Sequence, residues 1–125
     1  MPPLFNALIR THHITSRKKV AHLKKAAERL SCSVLLRSGG SPGIMYCEGS
    51  ETSVQEFVSV VQKLRYKDFQ LAARPATKWR DTCTATTISH RSIGLCEVPT
   101  VKEFASEMEL QSILLWWRQA MGYIS

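Results

Sequence analysis

The segment SGGSPG (38–43) limits the possible folds of this chain more than any other feature, because it must reverse the chain direction between two apolar runs. Its Gly-Gly and Pro-Gly pairs supply backbone angles that other residues resist. The flanking runs, CSVLLR (32–37) and IMYCEG (44–49), are short and rich in branched apolar residues. The sequence therefore predicts a β-hairpin at this point.

The hairpin is flanked on each side by a strand-like run and an amphipathic helix. Ser16 is expected to cap a helix from Arg17 whose apolar stripe recurs every three or four residues, and SETSVQEFVSVVQKLRY (50–66) repeats the pattern with Ser50 or Thr52 as its cap. LFNALIR (4–10) and DFQLAARP (68–75) are predicted strands, and we expect Pro75 to end the second. The order β-α-β-β-α-β predicts an α+β, ferredoxin-like fold with both helices on one face of the sheet.

The remainder of the chain is predicted to add a strand and helices to this core. The polar segment 76–86 is expected to form a loop, and 87–98 a further strand. The pattern TVKE (100–103) is typical of a capping box, so a helix should start at Val101. We expect an interruption near 106–109 and a last helix that ends near Gly122. The prediction is a single domain, 1–125, in which the extension 76–125 packs on the core 1–75.

Composition restricts the compartment and the chemistry. No apolar run approaches the length of about 18 residues that a membrane span needs, and the first ten residues lack the features of a secretory signal. None of the four cysteines forms a C-x-x-C pair. We therefore expect a protein of the nucleus or cytoplasm that is not secreted, with reduced thiols, no metal and no cofactor.

The positive charge is concentrated in the first part of the chain. The net charge is +7; residues 1–75 contain twelve Lys/Arg and five Asp/Glu, whereas 76–125 contain five of each. A basic field of this kind attracts polyanions, although a solvated helix surface is the commoner explanation of a single charge run.

Several motifs, taken in order, resemble the carboxy-terminal domain shared by the spliceosomal pre-mRNA-processing factor three and RWD-domain-linked proteins. They are HHI followed by a basic helix, then SPGIMYCEG, then a helix that ends in VQKLRYKDF. Pro42, Gly43 and Ile44, then Glu48 with Gly49, then Tyr66 with Lys67 match positions of that pattern, which covers about residues 4–75. The chain lacks the RWD domain and the long spliceosomal amino-terminal region.

This resemblance implies a non-enzymatic, ferredoxin-like module that contacts RNA at a duplex and its single-stranded extension. RNA is held through phosphates by basic side chains and through stacked bases. The candidate RNA-binding residues are Arg10, His12, His13, Arg17, Lys18, Lys19, His22, Lys25 and Arg29. The aromatic signature of an RNA-recognition motif is missing, because IMYCEG offers only Tyr46.

Two alternatives remain open. The chain could be a protein-interaction adaptor whose partner binds the carboxy-terminal helix around Trp116 and Trp117, where one ring could be an exposed anchor. More remotely, HIT (13–15) and HRS (90–92) both fit the H-x-[ST] motif of two-histidine phosphoesterases, with His13 and His90 as the acid–base pair. The motif is short, and four histidines make an accidental pair easy.

Overall fold

The computed structural model describes residues 4–79 and 92–124. Along these residues the elements are β1 Phe5–Thr11, α1 Arg17–Arg29, β2 Ser33–Arg37, β3 Gly43–Gly49, α2 Glu51–Lys63, β4 Gln70–Thr77, β5 Gly94–Val98, α3 Val101–Leu110 and α4 Leu114–Met121.

The strands form one mixed sheet in the order β4-β1-β3-β2-β5. The first four pair antiparallel, and β5 is added parallel to β2 at the far edge. The predicted α+β, ferredoxin-like fold with an added strand and helices is therefore confirmed. The hairpin β2–β3 is joined by the predicted Gly/Pro turn.

Helices α1 and α2 cover one face of the sheet. Because side chains alternate along a strand, Ala7 and Ile9 of β1 and Met45 of β3 point to this face. They pack against the apolar stripes of the two helices, which include Leu23 and Phe57. The two predicted amphipathic helices thus build the first core.

Helices α3 and α4 cover the opposite face. Leu8, Ile44 and Tyr46 alternate with the first set and form a second core with Phe104 and Trp117. Because helices lie on both sides, all seven residues of β3 are buried.

Helix starts agree well with the sequence signals. Ser16, Ser50 and Thr100 each accept a hydrogen bond from the backbone N–H three residues on. At Thr100 the hydroxyl also donates to Glu103 Oε2, so side chains as well as backbone contribute to the predicted capping box.

Two predicted boundaries are wrong. Pro75 does not end β4, which continues to Thr77; β4 is an edge strand with an irregular register against β1, where a missing N–H is tolerated. The interruption expected at 106–109 lies between Leu110 and Leu114 instead, and Ser112 there has a positive φ of 60°. Of the strand predicted over 87–98, only Gly94–Val98 is strand among the described residues; Ser92 and Ile93 are not, and 87–91 lie outside the described residues.

We predict that Gly43→Ala destabilises the fold. Gly43 pairs with Thr11, and a Cβ atom there would meet the Thr11 hydroxyl and lie 2.6 Å from Ile14 Cγ1, inside a closed core. The free energy of unfolding should fall by about 1–3 kcal/mol in denaturant titrations. Gly49→Ala is the control, because its Cβ atom would lie 3.4 Å from Cys32 Sγ. Equal losses in the two variants would contradict the explanation.

Candidate functional site

The nine basic and histidine residues singled out from the sequence lie at the end of β1, in the following loop and along α1. Arg10 and Lys19 are half-buried, and the others are exposed: His12, His13, Arg17, Lys18, His22, Lys25 and Arg29. Together they form a basic surface, but only some of them line a concave site.

That site is a cleft of about 240 Å³ at the amino-terminal end of α1. We call it the α1 cleft, and its lining residues are His13, Thr15, Ser16, Lys19, Arg65, Tyr66 and Lys67. His13 and Lys19 were expected at a binding surface, whereas Arg65 and Lys67 were not. The sequence signal that could have identified them is one basic residue on each side of Tyr66, directly after an amphipathic helix.

Tyr66 forms the buried side of the α1 cleft. Its side chain belongs to the first core, and Lys19 Nζ lies 4.8 Å from the centre of its ring, a cation–π contact. The residue is only 9% exposed, and its hydroxyl has no hydrogen-bond partner among the described residues. Burial raises the pKa of Tyr66 to about 12, so the hydroxyl keeps its proton at neutral pH.

The first turn of α1 has the opposite charge from the one its position favours. The amino-terminal end of a helix carries a partial positive charge that stabilises anions, yet Arg17, Lys18 and Lys19 occupy this turn and no acid does. Arg17 is compensated by a bidentate ion pair with Glu97, at 2.8 Å for both contacts. Lys18 and Lys19 have no carboxylate partner among the described residues, so this end of α1 is strongly positive.

Glu97 links α1 to the edge strand β5. Hydrogen bonds from Arg17 and Ser38, with the nearby charge of Lys24, hold the pKa of this carboxyl at about 2, well below its ordinary 4.5, although burial acts in the other direction. Arg17, one of the predicted RNA contacts, is thereby engaged within the protein.

A second cleft, of about 320 Å³, is lined by one of the two adjacent histidines, whose rings meet edge to face with 5.0 Å between their centres. His12 lines it together with Arg10 and Asp68, whereas His13 lines the α1 cleft. His12 Nδ1 lies 3.7 Å from Asp68 Oδ2, and Arg10 donates to the backbone carbonyl of Met121 at 3.4 Å. This cleft therefore contains a carboxylate, and its arginine is already engaged.

The sheet face that an RNA-binding domain of this topology could offer is closed. Tyr46 is fully buried, and its ring meets the edge of the Trp116 ring at 5.7 Å. Beside it, Lys78 pairs with Glu48 at 2.7 Å, and both side chains are about 95% buried. Tyr46 also donates to Glu48 at 2.7 Å, so this face is a packed interior with a polar centre.

The two tryptophans of the carboxy-terminal helix both face this interior. Trp117 is buried against Phe104, and Trp116 is half-buried against Tyr46. Neither is the freely exposed anchor considered in the adaptor alternative. The exposed apolar side chains of the same region are Leu110, Leu115, Tyr123 and Ile124.

The described residues contain no helix that could span a membrane, no cluster of metal ligands and only the first of the two predicted catalytic histidines. None of the described helices is long and apolar enough to cross a bilayer. No group of three or more metal-ligating side chains occurs within 4–79 and 92–124. His90, the second histidine of the phosphoesterase alternative, lies outside the described residues.

Comparisons with known proteins show the fold. The sequence matches no family model and no curated protein. Among solved structures, BlrP1 BLUF is similar with 15% identity and a TM-score of 0.56, over 91% of this chain and 79% of that one. The dark-state structure of the BLUF protein BlrB has 13% identity and a TM-score of 0.56, over 97% and 96%. A Klebsiella pneumoniae BlrP1 manganese/cy-diGMP complex has 19% identity and a TM-score of 0.51, over 89% of this chain but 28% of that one.

These comparisons correct two predictions. The assignment to the spliceosomal and RWD-linked family is wrong, because the similar structures are BLUF proteins. The RNA-binding module derived from it is also wrong. The motifs HHI, PGI and EG belong to the strand ends and turns of this topology, and the face that would stack bases is covered by α3 and α4.

We predict a specific pH dependence of stability from Glu97. Its pKa is lowered by folding, so the ionised carboxylate stabilises the protein above about pH 4.5, and this contribution is lost progressively as the pH falls towards 2. The difference in melting temperature between wild type and Glu97→Gln should therefore be largest near neutral pH and shrink through this window. Glu109→Gln, on the exposed surface of α3, is the control. A difference that stays constant down to pH 2 would contradict the assignment.

Proposed function

We propose that this domain is a non-enzymatic interaction module that binds an acidic segment of a protein partner at the α1 cleft. The observation that carries this proposal is the convergence of Lys19, Arg65 and Lys67 in a cleft with no carboxylate among its lining residues. Uncompensated charges that meet in a concave site are costly in the free protein and favour an anionic ligand.

Several features support contact rather than catalysis. His12 and His13 meet edge to face, with 5.0 Å between their ring centres, but they line different clefts, so neither cleft contains two histidines. The first core consists of apolar side chains, two cysteines and Tyr66, and offers no charged side chain for chemistry. The same fold also occurs as 28% of a longer chain, which suits a module that works beside other domains.

A light-sensing role, which the BLUF neighbours raise, requires a chromophore, because amino-acid side chains do not absorb visible light. A conjugated ring system such as a flavin needs a largely enclosed pocket with a few placed polar groups. The space between the sheet and helices α1 and α2 is filled by side chains such as Ile9, Leu23 and Met45, each at most 1% exposed. The two clefts described above, and a third of about 300 Å³ along the β2–β5 edge, are open to the surface. The described residues therefore do not fit such a group, and no photochemical step follows from them.

The carboxy-terminal helices offer a second surface for the same kind of partner. Leu115 lies on the outer side of α4, half exposed, with Arg118 and Gln119 beside it at helical spacing. Partly apolar surfaces of this type are frequent in protein interfaces. The contact expected around Trp116 and Trp117 would thus involve their exposed neighbours. The compartment, nucleus or cytoplasm, stays a prediction from the sequence.

We expect the purified domain to bind an oligoglutamate peptide with an affinity that falls as salt is raised, because exposed charges are screened. Charge reversal at Lys19→Glu/Lys67→Glu should reduce binding by at least about tenfold, since it replaces attraction with repulsion inside the cleft. Fluorescence anisotropy of a labelled peptide over a salt series measures this.

Two controls make the result specific. Lys63→Glu with Lys102→Glu changes the net charge equally but at exposed residues outside the cleft, and Leu115→Glu alters the carboxy-terminal surface. If the cleft and control charge variants lost equal affinity for the peptide, the effect would come from net charge and not from the cleft. Absence of binding at low salt would contradict the proposal.

We also expect the protein purified from its native source to show only the absorbance of tryptophan and tyrosine, with no band in the visible range. The reason is the filled core under α1 and α2. Release of a coloured small molecule on denaturation would contradict this and restore the sensor function.

A further inference from the structure

We propose that the α1 cleft binds a phosphate monoester, so that the partner segment is recognised when it is phosphorylated. This inference rests on the proposed function and adds the chemical group that the cleft is built to hold. Four features of the cleft support it.

The first feature is the amount and arrangement of positive charge. Lys19 comes from α1, and Arg65 with Lys67 comes from the turn after α2, so the cations approach from two separate elements. A phosphate monoester carries about −1.5 to −2 charges and three strong acceptor oxygens, whereas a carboxylate carries one charge on two oxygens. Three convergent cations match the phosphate better.

The second feature is the start of α1 itself. Ser16 closes the helix by accepting from Lys19 N–H, and its carbonyl accepts from Val20 N–H. The N–H groups of Arg17 and Lys18 precede these and belong to the donors that a helix leaves unpaired at its start. Ser16 and Thr15 line the cleft, so it lies at the end of a 13-residue helix where an oxyanion is stabilised.

The third feature is the Tyr66 hydroxyl. It is a buried donor without a partner among the described residues, on a residue that lines the cleft. A buried hydroxyl without a hydrogen bond costs about 1–3 kcal/mol. Because this oxygen has almost no exposed surface, a ligand oxygen can accept from it only after an outward shift of the ring, and that contact would then remove a defect of the free protein. Its raised pKa keeps it a donor.

The fourth feature is the conformation of Arg65. It follows the carboxy-terminal end of α2 with a positive φ of 56°, a region that arginine seldom adopts and that glycine or asparagine would adopt more readily. The left-handed residue itself is an ordinary helix ending, because Ser31 and Ser112 occupy the same position after α1 and α3 with similar φ. What distinguishes the end of α2 is that this residue is an arginine that lines the cleft. Guanidinium groups bind phosphate through two parallel hydrogen bonds.

The neighbouring cleft is a poorer candidate for the same group. Asp68 lines it and would repel a phosphate, and Arg10 already donates to the Met121 carbonyl. An RNA segment finds little to stack on in the α1 cleft, because Tyr66 is buried and His13 is the one exposed ring among the lining residues.

The test compares three peptides that differ at one position within the same glutamate-rich sequence: phosphoserine, glutamate or serine. Titrations of the isotopically labelled domain, with inorganic phosphate alone as a fourth probe, would be followed by NMR and by calorimetry. We expect the phosphoserine peptide to bind about tenfold or more tightly than the serine peptide, and both phosphate probes to shift the amide resonances of Arg17 and Lys18.

Variants locate the site. Arg65→Asn keeps a residue that tolerates the positive φ and should remove most of the preference for phosphoserine. Tyr66→Phe keeps the ring in the core and should reduce that preference severalfold without lowering the melting temperature. Lys63→Ala, at the exposed end of α2 two residues before Arg65 and outside the cleft, is the matched control and should leave the preference unchanged.

The outcomes separate the two proposals. Equal affinity for the three peptides, abolished by Lys19→Glu/Lys67→Glu, would overturn the phosphate inference and leave the acidic-partner function standing. No binding of any peptide or of phosphate would overturn both. Tighter binding of a single-stranded RNA of equal charge, lost in the same variants, would overturn both in favour of a nucleic acid.

Discussion

The whole structure depends on the burial of β3 on both faces. Its seven residues are buried, with Met45 and Cys47 directed to α1 and α2 and Ile44 and Tyr46 directed to α3 and α4. A strand of this kind cannot be stable with one helical layer, because the second apolar face would remain in water. The carboxy-terminal helices are therefore required by the same sheet whose first face the amino-terminal helices cover.

Closing both faces has a direct effect on where binding can occur. Many sheet-based binding domains use an open face, but here Trp116 and Trp117 fill it, and the charged pair Lys78–Glu48 is enclosed in it with Tyr46. A buried ion pair contributes little net stability but fixes the relative position of the groups that it joins. The concave surface with convergent positive charge lies instead at the end of the sheet, where β1 stops and α1 begins.

Much of the fold was predictable from local signals. Periodicity located the helices, the Gly/Pro turn located the hairpin, and the capping residues Ser16, Ser50 and Thr100 located the helix starts. Pro75 was misleading because a proline is tolerated inside a strand when that strand lies at the edge of a sheet. The edge position of β4 is a property of the sheet and not of the segment. The sequence likewise did not show that α3 and α4 lie on the face opposite α1, because periodicity predicts an apolar stripe but not the surface against which the stripe packs.

The site was predictable only in part, for a related reason. The run from His13 to Lys19 drew attention by its charge, but the other half of the cleft comes from Arg65, Tyr66 and Lys67, about fifty residues later. Only the tertiary structure brings the two segments together. The match to a spliceosomal family failed because HHI, PGI and EG occupy turns and strand ends that this topology itself requires. Short motifs of that kind follow the fold and do not report ancestry or ligand.

The contact between Arg10 and the Met121 carbonyl also fixes the position of the end of α4. It holds the last turn of α4 against the end of β1, next to the histidine loop, although α4 lies on the opposite side of the sheet from α1. A segment fused after Tyr123 would emerge at the binding end of the molecule and could fold over it. A fluorescent label or a second domain attached there would be placed to report on, or to obstruct, occupancy of the cleft. An attachment at the β2–β3 turn would have the same effect, because the Gly39 N–H of that turn donates to the Ile14 carbonyl beside the cleft.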